Sequence, residues 1–137
     1  MTARLKVSHG HWQQMIDHAR ACLPEEACGI LGGKWDQVEV VIAITNELHL
    51  SGRFRMAPEE QVKAFCQLEE MGMDLIGLFH SHPNGPGEPS PLDLKEFAYP
   101  GVPVVVCYPV EREWNARGFH IDAGAFREIG IDIEDTA

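Results

Sequence analysis

The apolar positions of this chain change period several times, and each change marks an element. Residues 4–7 form a short first strand, and Ser8 is placed to cap a helix over 9–22, where Trp12, Met15, Ile16 and Ala19 recur at helical spacing. Pro24 closes the connection. Residues 26–31 then read as a strand that exits through Gly32-Gly33, followed by a second strand over 37–45. A polar loop spans 46–57. Pro58-Glu59-Glu60 opens a second helix, because proline suits the first turn and acidic side chains complement the amino-terminal dipole. That helix carries Val62, Phe65, Cys66 and Leu68 and ends near Gly72. Residues 74–80 are apolar on both faces, which predicts a central strand. A proline- and glycine-rich loop (83–89), a short helix (91–98) and strands over 102–108, 115–122 and 125–131 complete the pattern. The expectation is a single α/β domain over 1–137, with helices flanking a mixed, mostly antiparallel sheet.

Composition narrows the function classes. At 137 residues the chain can bury a core without staples. Its formal net charge of −10 removes the electrostatic term on which phosphate-backbone binding depends, so nucleic acid is disfavoured. No run approaches the roughly 18 apolar residues of a spanning helix, and the amino-terminal residues lack the features of a signal peptide. A cytoplasmic location is the simplest expectation. Cys22, Cys28, Cys66 and Cys107 include no Cys-x-x-Cys pair and are expected to be reduced, buried thiols.

Candidate chemistry lies at the end of the central strand, in His80-Ser81-His82-Pro83 followed by Ser90 and Asp93. Side chains at i and i+2 of a strand share a face, so His80 and His82 can converge on one ion. Asp93 opens the next helix, from which a carboxylate can reach the same point. Three protein ligands leave a fourth tetrahedral position for water, the arrangement of a catalytic zinc. Taken alone, the His-x-His pair reads as well as two surface histidines. His9-Gly10-His11 has the same spacing at the start of a helix, where i and i+2 diverge; with His18, His49 and His120 it is assigned to surface or core. Glu26 is out of place at an apolar strand and is the candidate base, although Glu25 and Glu26 also read as solvated loop residues.

Glu26, His80-Ser81-His82-Pro83, a seven-residue gap, and Ser90-Pro91-Leu92-Asp93 together resemble the full signature of the JAMM metalloproteases. These form the catalytically competent branch of the MPN domain family. Glu26-Ala27-Cys28-Gly29 and the region 46–61 are similar to its small bacterial and archaeal members. The resemblance implies the MPN fold, distantly similar to cytidine deaminases. It also implies one Zn2+ on His80, His82 and Asp93, Glu26 as general acid/base, and Ser90 as an oxyanion donor. The expected activity is hydrolysis of an amide or isopeptide bond at the Gly-Gly tail of a ubiquitin-like or sulfur-carrier protein. Asn46, Arg53, Phe54 and Arg55 are the candidate groove residues. A catalytically silent MPN-type binding scaffold is the alternative. The oligomeric state (monomer or homodimer), the role of Cys28 and gating by loop 83–89 stay open.

Overall fold

The computed structural model describes residues 3–135, so the ends of the expected 1–137 domain lie outside the described residues. The elements are β1 (Arg4–Ser8), α1 (His9–Ala21), β2 (Cys28–Lys34), β3 (Gln37–Ile44), α2 (Pro58–Glu70), β4 (Asp74–Ser81), α3 (Pro91–Glu96), β5 (Val104–Val110), β6 (Glu113–Asp122) and β7 (Ala125–Glu134). Among the described residues no helix is long and apolar enough to cross a membrane.

The strands run in the order β1-β3-β2-β4-β5-β6-β7 and close into a barrel. Closure depends on β1, which pairs in parallel with β7 along its length and with β3 through the single ladder pair Lys6 and Gln37. The β2–β3, β2–β4, β5–β6 and β6–β7 pairs are antiparallel, whereas β4–β5 is parallel. The mostly antiparallel sheet is as expected. Its closure was not, because alternation along a strand does not say which edges will meet; joining them removes an open ladder of unpaired backbone groups.

β4 is central, as its apolar faces predict, and alternate residues enter different cores. Phe79 packs with Leu5, Met15, Ile16 and Ala19 under α1, while Leu78 packs with Ile30, Ile44, Ala64 and Leu68 under α2. Ser8 caps α1 as expected, its Oγ accepting from the His11 N–H at 3.0 Å.

Four expectations change. Gly32 and Gly33 lie inside β2 rather than at its exit, and the turn falls at Trp35, whose φ is 56°. Close approach is what demands these glycines: a Cβ on Gly32 would lie 2.2 Å from a Leu68 methyl, and one on Gly33 only 1.9 Å from the Gln37 carbonyl oxygen. β2 starts at Cys28, leaving Glu26 in the segment before it. α3 stops at Glu96, with Phe97 already extended at φ −63° and ψ 128°. On α2, Ala64 and Leu68 are the buried residues, whereas Val62 and Cys66 are exposed. Of the four free thiols only Cys28 and Cys107 are therefore fully buried.

Candidate metal centre

His80 sits near the end of β4, between Cys28 of β2 and Val106 of β5, and His82 follows directly. Ser81, between them, points to the opposite side. Its Oγ accepts from the Ala27 N–H at 2.8 Å, and its own N–H donates to the Ala27 carbonyl at 3.0 Å. This reciprocal pair pins the segment before β2 against the end of β4 and brings Glu26 beside both histidines. The Glu26 backbone is held from the other side as well: its N–H donates to the Leu50 carbonyl at 2.9 Å, and its carbonyl accepts from Asn46 Nδ2 at 3.0 Å.

Asp93 arrives from α3. Ser90 and Asp93 form a reciprocal cap, in which Ser90 Oγ accepts from the Asp93 N–H at 3.0 Å and Asp93 Oδ2 accepts from the Ser90 N–H at 2.9 Å. The same Oδ2 lies 3.1 Å from His80 Nε2 and 2.9 Å from His82 Nε2, and the two nitrogens are 3.2 Å apart. Donors bound to a small tetrahedral divalent ion at about 2.0–2.1 Å would stand about 3.3 Å from one another. The three observed edges lie about 0.1–0.4 Å inside that figure, so a small outward shift of the donors would seat a metal ion. Glu26, His80, His82 and Asp93 each offer an atom within 4.8 Å of the others. His82 Nδ1 is 2.8 Å from the Pro86 carbonyl and donates its proton there, so Nε2 is the ring nitrogen that faces Asp93 and the one that would offer its lone pair to a bound ion.

Electrostatics separates the two carboxylates. Glu26 is only 5% exposed, and its Oε1 is buried without a hydrogen-bond partner. Burial pushes this carboxyl up to about 7; the His82 charge pulls it down and the Asp93 charge pushes it further up. Burial acts in the same direction on Asp93, but hydrogen bonds from His80, His82 and the Ser90 backbone outweigh it and hold this carboxyl well below its usual range. His82 is raised: burial disfavours its charge, yet bonds to Asp93 and the Pro86 carbonyl prevail. One carboxylate is thus fixed as an anion for a cation, and the other stands near neutrality, suited to moving a proton. Cys28 donates to the Ile44 carbonyl at 3.4 Å, and burial pushes its thiol up to about 12. It is a core residue of the α2 side.

The four candidate groove residues divide. Phe54 stacks on the His80 ring, centroids 4.7 Å apart and planes at 24°. Arg53 grips Glu96 of α3 through two bonds of 3.1 and 2.6 Å, and Arg55 pairs with Glu47. All three line a cavity of about 340 Å³ beside His80 and Asp93, with Leu78, Phe97 and Tyr99 among its apolar walls. Asn46 instead lies buried beneath the loop. Its Nδ2 donates to the carbonyls of Glu26 and Arg53, and its Oδ1 accepts from the N–H groups of Leu48 and Arg55. Ser81 is structural, as the sequence reading has it, whereas the anchoring role of Asn46 escaped sequence reasoning. His11 bonds Ser8, His18 bonds the Cys28 carbonyl and His49 pairs with Glu25, all away from the centre.

Known proteins are similar to this chain over most of its length. Residues 8–119 match the family model of prokaryotic homologs of the JAB domain. A desampylase of Haloferax volcanii is 28% identical across 97% of this chain and 99% of its own length. A probable TtuB-protein conjugate cleaving protease of Thermus thermophilus is 36% identical across 74% and 68%, and a CysO-cysteine peptidase of Mycobacterium tuberculosis is 30% identical across 87% and 84%. A solution structure from Desulfitobacterium hafniense superposes with a TM-score of 0.89 at 29% identity, covering 96% of this chain and 94% of that one. A JAB1/MPN domain protein of Archaeoglobus fulgidus shares the fold, with a TM-score of 0.62 at 20% identity over 96% and 97%. The chain therefore belongs to the prokaryotic JAB-domain family, the small prokaryotic branch of the JAMM/MPN peptidases.

Proposed function

We propose that this chain is a zinc-dependent hydrolase that cleaves the amide or isopeptide bond following the Gly-Gly tail of a ubiquitin-like or sulfur-carrier protein. The observation that carries the reading is Glu26: a buried carboxyl whose Oε1 has no hydrogen-bond partner, within 4.8 Å of three converging donor atoms. His80, His82 and Asp93 would hold the zinc, whose chemistry when bound is to acidify a water and polarise a carbonyl. Glu26 takes the proton from the attacking water and returns it to the departing amine. Ser90 Oγ accepts from the Asp93 N–H and keeps its own hydrogen to donate to the substrate carbonyl oxygen as that oxygen becomes negative.

The segment Arg53-Phe54-Arg55 supplies a track for the tail. The Arg53 carbonyl and the Arg55 N–H turn inward to Asn46. Peptide groups alternate along an extended segment, so those of Phe54 face the other way, where a glycine tail without side chains can add by main-chain bonds. The names of the relatives support a carrier substrate, since they describe a desampylase, a TtuB-conjugate protease and a CysO peptidase.

The test is cleavage of carrier fusions with a Gly-Gly junction, before and after chelation and with zinc restored. Chelation should abolish cleavage and zinc should recover it, while Glu26→Gln should lower turnover at least ~100-fold. Cleavage undiminished by verified metal removal, or in Glu26→Gln, overturns the reading. Complex formation with carriers but no hydrolysis under any loading would favour the binding scaffold.

A further inference from the structure

Loop 83–89 is fastened to the barrel rather than free over the metal centre. The Gly85 N–H donates to the His82 carbonyl at 2.9 Å, which folds the loop back on itself. Gly87 is buried against the ring of Tyr108 in β5, and a Cβ there would meet three ring carbons at 2.4–2.6 Å. No left-handed backbone is involved, so space alone demands the glycine. Glu88 follows, 3.6 Å from Arg117 of β6, itself held by two bonds to Glu128 of β7.

The neighbouring strand thereby controls both ends of His82. Its backbone N–H donates to the Cys107 carbonyl of β5 at 2.9 Å. Its ring is referenced to the next residue of that strand, Tyr108, through Gly87 and the Pro86 carbonyl, which takes the Nδ1 proton at 2.8 Å. Adding a methyl at position 87 would require ~1 Å of displacement shared between the Tyr108 ring and the loop, and a 2.8 Å bond from His82 lengthened by even half of that is weakened.

We propose that Gly87 and Tyr108 are positioning residues for His82: their contact sets where the Pro86 carbonyl stands, and so fixes which imidazole nitrogen faces the metal. The proposal rests on His82 as a metal ligand and is independent of what the enzyme hydrolyses. It is tested by zinc affinity, measured by competition with a chromophoric chelator, and by the 15N shifts of the His82 ring in the zinc-loaded protein. Nδ1 should carry the proton in wild type. Gly87→Ala and Tyr108→Ala should each weaken zinc binding about 10- to 100-fold with the circular dichroism spectrum retained, whereas Tyr108→Phe, which keeps the ring, should bind as wild type. Affinity within two-fold of wild type in both alanine variants overturns the proposal, as does a protonated Nε2 on His82. Should Gly87→Ala fail to fold, the Tyr108 pair and the wild-type spectrum decide. An affinity loss in a protein that cleaves no carrier would uphold this proposal while defeating the substrate assignment.

Discussion

Asn46→Ala tests whether Glu26, the proposed proton carrier, is held from beneath. The substitution removes a bond from five backbone groups: the carbonyls of Glu26, Leu50 and Arg53 and the N–H groups of Leu48 and Arg55; the Leu50 carbonyl keeps the Glu26 N–H, and the other four lose the Asn46 partner. The bond to the Glu26 carbonyl is fully buried, and a buried group left without its partner costs about 1–3 kcal/mol. The other three are partly buried and can recover water, at roughly 0.5 kcal/mol each. The total is about 2.5–4.5 kcal/mol. With an unfolding entropy of about 2.1 cal/mol/K per residue, this chain loses roughly 3.5 °C per kcal/mol, so its Tm should fall by about 9–16 °C. Glu26 should drift in the variant that remains folded, and a misplacement near 1 Å can cost about 100-fold in turnover. Calorimetry combined with steady-state cleavage of a Gly-Gly fusion reads both effects. The expected pattern is a lower Tm, a lower kcat, a raised KM because the Arg53–Arg55 track loses the same anchor, and unchanged zinc affinity, since Asn46 bonds backbone groups of Glu26, Arg53 and Arg55 rather than His80, His82 or Asp93. A raised KM with Tm within 2 °C of wild type would show instead that Asn46 meets substrate, and the reasoning would be wrong.

Ser90→Ala should lower turnover about 100- to 1,000-fold and stability by about 0.5–2 kcal/mol, read by kinetics and denaturant titration; a change in stability alone would make Ser90 a cap and nothing more. Asp93→Asn removes the fixed anion from the metal centre and should abolish zinc binding in a chelator competition; wild-type affinity would remove Asp93 from the ligand set. Gly33→Ala should destabilise the fold by ~2 kcal/mol or more, because the added Cβ meets the Gln37 carbonyl oxygen at 1.9 Å and backbone cannot swing aside. Gly52→Ala, with nothing within 4 Å, should stay within about 0.5 kcal/mol of wild type in the same thermal melt.

The convergence of His80, His82 and Asp93 was legible because it is local. His80 and His82 share a strand face, and Asp93 opens the next helix, so three of the four groups are specified by spacing along one strand–loop–helix unit. Glu26 was harder, because it joins them only through pairing between β2 and β4 and the Ser81–Ala27 bonds, which no periodicity announces. The groove shows the limit most plainly. A buried hub such as Asn46 and a rim residue such as Phe54 occur in the same polar stretch, and what separates them is the direction in which the loop folds. Gly32 and Gly33 resembled a turn because glycine serves turns and close approaches alike; only the positions of Leu68 and Gln37 tell the two apart. Barrel closure is likewise a property of edges, set by β1 lying between β7 and β3.

One oxygen of Asp93 serves two geometries, closing the first turn of a six-residue helix and facing the histidine pair. A position under both demands has almost no freedom to drift. Asparagine can cap but brings no anion, glutamate brings the anion on a stem one carbon too long for the cap, and serine supplies neither charge nor reach. Anyone re-engineering the centre for a different ion by exchanging this ligand would also be redesigning the start of the helix that presents it. The two problems would have to be solved together.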